Sequence, residues 1–147
     1  MMKRIRIRVC GILEKGDELL LVKHEKSGKE YYLLPGGGVD HGEDFKTALK
    51  REFLEECNID VDVKDMVFIS EGIAPNGGRH IVSIYFKVSY IGGKLQVGED
   101  EGNLVGVEYI KKSELDNITL YPNTKNELKE YFENGYEGIK YLGNRWE

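Results

Sequence analysis

Residues 37–59 read GGVDHGEDFKTALKREFLEECNI, and the reading of this stretch decides how the rest of the chain is organised. Glu43 comes first, then Arg51-Glu52 and Glu55-Glu56 around Phe53 and Leu54. These spacings make sense on a helix, where side chains three and four positions apart share a face, so Glu52, Glu55 and Glu56 are expected to converge. At about 100° per residue, Phe45, Leu49 and Phe53 form one apolar stripe, and Glu52 and Glu56 project within roughly 20° of Phe45. Glu55 falls on the Ala48 flank. The acids therefore stand at or inside the face that packs on the protein. Clustered like charges destabilise a bare helix, and carboxylates taken out of water need a partner or a metal. A hard divalent cation, which takes oxygen ligands, is the plain reason to keep them together. The alternative is a charged surface helix with Lys50 and Arg51 as ion-pair partners.

The residues before the helix add to the first reading. Leu34-Pro35-Gly36-Gly37-Gly38 closes an apolar run from Tyr31 to Leu34. Glycines there let the backbone approach a ligand closely, and glycine-rich loops entering a helix expose backbone groups to phosphate or cation.

Taken together, Gly37, Glu43, Arg51, Glu52, Phe53, Glu55, Glu56 and Ile59 resemble the Nudix box, the signature of the Nudix hydrolase family. The one departure is Asn58, where glycine is usual. It falls just past the helix, at a position that takes left-handed φ, and asparagine is the next-best residue there.

The 147 residues are expected to form one domain, with enough chain for a proper core. No apolar run is long enough to span a membrane, and the alternating start, Met1 to Arg8, reads as a strand rather than a targeting segment. Cys10 and Cys57 suggest neither a disulfide framework nor a zinc site, so the cytoplasm is the expected location. A net charge of −5 without a Lys/Arg block argues against generic nucleic-acid binding.

Periodicity predicts strands from about Ile5 to Leu13, Glu18 to His24, Tyr31 to Leu34, Val61 to Ile73, Arg79 to Ile91 and Leu104 to Ile110. Helices are predicted over Asp44 to Cys57 and Asn123 to Asn134, with a Pro75-Asn76-Gly77-Gly78 turn between two strands. Strands flanked by helices predict an α/β class with a mixed (α+β) sheet covered on both sides, which matches the α/β/α sandwich that the resemblance implies. The aromatic tail, Tyr141 to Trp146, is expected to dock on the body or on a partner subunit.

The resemblance implies hydrolysis of a nucleoside diphosphate linked to another group, with Mg²⁺ or Mn²⁺ as cofactor. It implies Glu52, Glu55 and Glu56 as metal ligands, with the Gly37 carbonyl adding to them, and a Glu43–Arg51 pair that orients them. Glu43 also reads as a first-turn glutamate favouring the helix dipole. For the general base, the resemblance allows Glu52 itself or an acid of the loop Glu99-Asp100-Glu101, and Glu101 is the choice because it stands just ahead of the strand Leu104 to Ile110; a solvated acidic turn is the alternative for the loop. Arg6, on one face of the first strand with Arg4 and Arg8, is a candidate phosphate contact. Arg79 is a candidate for the pocket rim, and Tyr32 or its neighbour Tyr31 for stacking on a base. Core packing is the alternative for both tyrosines.

Pro75, sixteen residues past the box, resembles a marker of the ADP-ribose pyrophosphatase subgroup. The preferred substrate is therefore ADP-ribose or another nucleoside-diphosphate sugar. A MutT-like triphosphate pyrophosphohydrolase is the second choice, a diadenosine-polyphosphate hydrolase the third, and a non-catalytic nucleotide-sensing domain the reading from another class. Partners are a small nucleotide and, as often in this family, a second copy of the chain through the first strand.

Overall fold

The computed structural model describes residues 3–98 and 102–146. In chain order the elements are β1 (Arg6–Lys15), β2 (Glu18–Lys26), β3 (Lys29–Leu33), β4 (Gly36–Gly38), α1 (Phe45–Cys57), β5 (Ile59–Ile73), β6 (His80–Gly93), β7 (Leu104–Lys111), a 3-10 turn (Lys112–Asn117), α2 (Lys125–Asn134) and β8 (Lys140–Asn144). The strands form one mixed sheet in the order β3-β2-β1-β6-β5-β8, with β4 on β1 and β7 on β2. β1 runs parallel to β6, and β8 parallel to β5; the remaining neighbours are antiparallel.

Alternation along β1 divides its side chains between two cores. Val9 and Leu13 join Ala48, Leu49, Phe53 and Cys57 of α1 on one face. Cys10 and Ile12 join Phe68, Tyr85 and the α2 residues Leu128 and Tyr131 on the other. The helices therefore cover opposite faces, and the chain is the expected α/β/α sandwich. Burial of Leu49 and Phe53, both at 0% exposure, gives α1 its anchor; each such side chain contributes about 1.5–3 kcal/mol. The Phe53 ring needs Gly11 beneath it, because a Cβ at position 11 would lie 2.6 Å from Phe53 Cε2.

Four expectations change in detail. Gly36–Gly38, read as loop, forms a short strand antiparallel to Arg8–Cys10. The first helix begins at Phe45, because Asp44 caps it by accepting the Thr47 N–H at 2.8 Å. Glu43 thus precedes the cap and is not a first-turn residue. β1 lies inside the sheet, bonded to β6 on one side and to β2 and β4 on the other, so it offers no free edge to a second copy. The tail enters the sheet as β8, alongside β5. Among the described residues no helix is long and apolar enough to cross a membrane.

Candidate active site

Two of the glutamates on α1, Glu52 and Glu56, face Gly37 and Gly36 of β4. Glu56, only 9% exposed, accepts the Gly36 N–H at 2.8 Å through Oε1. The Glu52 carboxylate lies against Gly37 so closely that a Cβ there would sit 2.4 Å from its carboxyl carbon. Glycine at 37 is thus what admits Glu52 to this position. Burial pushes the Glu52 carboxyl above its ordinary range, against the pull of Arg51; a group so placed gains from a nearby cation.

Arg51 organises the rim. Its Nε and Nη2 donate to Glu43 Oε2 and Oε1, each at 2.8 Å, in a two-pronged pair. Nη2 also donates to the Gly38 carbonyl at 3.1 Å, while Nη1 donates to Glu52 at 2.9 Å and Glu55 at 3.3 Å. The Arg51 bonds, with the Asp40 N–H, hold the Glu43 carboxyl down at about 2. Glu43 in turn raises the basicity of Arg51 further. At the far end of α1, Asn58 takes φ 59° and ψ 30°, donates its N–H to the Leu54 carbonyl, and donates Nδ2 to the Lys94 carbonyl at 2.9 Å. Asparagine therefore does what glycine would do there, and adds a bond glycine lacks.

The three glutamates do not share one point. Glu52 and Glu56 meet the glycines, whereas Glu55 is 57% exposed and turned toward Arg51. Among the described residues no three acidic, histidine or cysteine side chains close on a common centre. A buried and a half-buried carboxylate beside a glycine backbone still suit Mg²⁺, which keeps several waters and takes few protein oxygens. Glu101, with its neighbours Glu99 and Asp100, lies outside the described residues. The last residue before that run, Gly98, donates its N–H to the Glu56 carbonyl at 2.9 Å.

Beside this cluster is a cavity of about 460 Å³, whose lining includes Arg8, Tyr31, Arg79, Tyr121, Arg145 and Trp146. Arg8 joins the two regions. It lies in register with Gly38 on β4, donates Nη2 to the Leu34 carbonyl at 3.0 Å, and its charge acts on Glu52. Of the sequence candidates, Arg79 lines the cavity, while Arg6 and Tyr32 do not. Arg6 is exposed, with its guanidinium near Gly38. The Tyr32 hydroxyl donates to Glu108 at 2.6 Å, and Lys23 stands over its ring. Strand alternation assigns the two tyrosines opposite sides, and Tyr31 faces the cavity, where its ring lies 5.4 Å from that of Tyr121. Tyr121, Arg145 and Trp146 had no individual signal in the sequence; the only hint was the aromatic character of the tail.

A family model described as the NUDIX domain matches residues 2–133. An ADP-ribose pyrophosphatase of Methanocaldococcus jannaschii is 38% identical over 97 residues, covering 64% of this chain and 56% of its own length. The chain therefore spans little more than half of that relative. An RNA pyrophosphohydrolase of Pelagibacter ubique is 28% identical over 142 residues, covering 81% of this chain and 87% of its own length. Among solved structures, an ADP-ribose pyrophosphatase from Streptococcus suis superposes with a TM-score of 0.72 at 21% identity, covering 92% of this chain and 98% of that one. A NUDIX hydrolase from Nitrosomonas europaea reaches 0.77 at 18% identity over 90% and 92% of the two chains. The likeness to these two structures is one of fold.

Proposed function

The chain belongs to the NUDIX family, and from that premise we propose that it is a divalent-metal-dependent pyrophosphohydrolase acting on a nucleoside diphosphate linked to a second group, ADP-ribose or a nucleoside-diphosphate sugar first among them. The observation that carries the reading is that Arg8, which lines a cavity offering both cations and aromatic rings, pairs with the glycine strand that the buried Glu56 and the half-buried Glu52 meet. A nucleotide has the matching parts, an anionic diphosphate and a flat base. The pyrophosphatase names of the two sequence relatives support the same chemistry, and the ADP-ribose pyrophosphatase supports the choice of substrate.

Glu52 and Glu56, the backbone of Gly37 and, on release from Arg51, Glu55 would hold Mg²⁺ or Mn²⁺. Such an ion supplies charge neutralisation on the diphosphate oxygens and lowers the pKa of a bound water. Arg51, locked by Glu43, fixes where Glu52 points. Arg8 and Arg79 meet phosphate oxygens from the cavity side. In the reaction, a water oxygen bonds to one phosphorus of the anhydride, the bridging oxygen leaves on the other phosphate, and a carboxylate accepts the water's proton. Glu52 or Glu101 is the carboxylate for that task. ADP-ribose then yields AMP and ribose phosphate.

The test is a panel of ADP-ribose, nucleoside-diphosphate sugars, oxidised dGTP and diadenosine polyphosphates with Mg²⁺, with products identified by mass. AMP with ribose phosphate is the expected result. Pyrophosphate from oxidised dGTP would move the chain to the triphosphate class. No turnover of any compound would overturn the reading in favour of nucleotide sensing, and full turnover by Glu56→Gln would overturn the metal assignment.

A further inference from the structure

The single tryptophan of this chain is the residue before its last, and β8 carries it to the wall of the cavity. Its seat is built. The Arg145 N–H donates to the Glu71 carbonyl at 2.7 Å. Asn144 Oδ1 accepts from both the Ile73 and the Trp146 N–H groups, and the Tyr141 hydroxyl donates to Glu71. The ring lies over Gly72, 3.6 Å from where a Cβ would stand.

Arg145 then ties this tail to the opposite wall. Its guanidinium donates to both oxygens of Glu127 at 3.1 and 3.0 Å, and to the Asn123 carbonyl at 3.1 Å, two residues past Tyr121. One arginine therefore fixes the relative positions of Trp146 and Tyr121, and Tyr121 is in ring contact with Tyr31. Trp146 nevertheless keeps 39% of its surface exposed and Tyr121 40%. Large apolar rings held by so many bonds, yet left open to a cavity, are a surface kept for a flat ligand.

Resting on the hydrolase reading above, we propose that the C-terminal segment is part of the substrate site: Trp146, with Tyr31 and Tyr121, holds the nucleobase, and Arg8 directs the phosphates toward Glu52 and Glu56. Every base has a π-face, so this grip sets affinity and the position of the diphosphate more than the choice of base. Trp146 is a binding residue, and the bonds of Arg145 preorganise it.

Because there is one tryptophan, its emission reports the cavity directly, without turnover. The full-length chain is titrated in EDTA with ADP-ribose, UDP-glucose and dGTP in turn. Saturable quenching by at least one compound is expected, and unmoved emission with all three overturns the proposal. Steady-state kinetics with Mg²⁺ give the second readout. Trp146→Ala should raise KM by about tenfold or more while kcat changes far less, and Trp146→Phe, which keeps a flat ring, should restore most of the loss. An unchanged KM in Trp146→Ala, or a loss that Phe does not restore, assigns the tail a packing role and overturns the proposal. Quenching without hydrolysis would uphold the base contact and sink the hydrolase reading; hydrolysis without quenching would do the reverse.

Discussion

Arg51 makes more bonds at the site than any other single side chain described above, and its partners define what can be tested one residue at a time. Glu43 supplies two of those bonds. Its substitution by glutamine should leave the fold intact and lower metal-dependent turnover by about 10- to 100-fold, as the loss of an orienting partner does; turnover within twofold of wild type would show that the pair does not orient Glu52. The same carboxylate carries a pH signature. Its pKa falls from an ordinary 4.5 to about 2 on folding, so the folded state binds this proton less tightly than the unfolded chain does. The stability it contributes is complete above 4.5 and is lost as pH falls toward 2. Denaturation midpoints across that window should decline less steeply in Glu43→Gln than in wild type. Glu52 moves the other way, raised by burial. Protons should therefore compete for it at a higher pH than for an ordinary carboxylate, and Mn²⁺ should bind more weakly at roughly pH 5 than at pH 8. Equal affinities at the two pH values would remove Glu52 from the ligand set.

At the scale of elements, α1 depends on one knob in one hole. Phe53 is fully buried and rests where Gly11 has no side chain. Phe53→Ala should cost about 3–5 kcal/mol, and Gly11→Val, which drives two methyls into the ring, about 1–3 kcal/mol. Chemical denaturation measures both. A Gly11→Val variant as stable as wild type would mean that α1 can shift on the sheet, and turnover should then fall because Glu52 and Glu56 shift with it. The helix was legible because its signals are local: the period of Phe45, Leu49 and Phe53 and the Asn58 stop are set by neighbours in the chain, whereas the sequence reading ran the helix through Asp44, which caps it. The short strand Gly36–Gly38 was not legible, since three glycines carry no alternation and only the bonds to Arg8–Cys10 make them a strand.

For the whole molecule, the consequential feature is that residues far apart in the chain converge on the cavity. β1 gives Arg8, β3 gives Tyr31, the segment before α2 gives Tyr121, and the tail gives Trp146. Arg145 fastens the last two to α2 through Glu127. Arg145→Ala should lower stability by about 1.5–3 kcal/mol, because it leaves a half-buried carboxylate without its charged partner; calorimetry would detect the loss, and an unchanged unfolding temperature would mean that β8 stays docked on its backbone bonds alone.

By itself the sequence determined the sandwich and the helix that presents the glutamates, since these rest on the fixed periods of helix and strand, while the close seat of Glu52 against Gly37 came only with the structure. The sequence named both Tyr31 and Tyr32 for a base, and only the register of β3 on β2 turned Tyr31 to the cavity and Tyr32 to Glu108. Arg6 and Arg8 likewise read alike as members of one alternating run, until the structure put Arg8 on the cavity lining and left Arg6 exposed outside it. Only the tertiary structure made a binding wall of the tail, because the parallel pairing of β8 with β5 joins segments some seventy residues apart (Ser70 opposite Gly143, Glu71 opposite Asn144), and no local pattern encodes a contact at that distance.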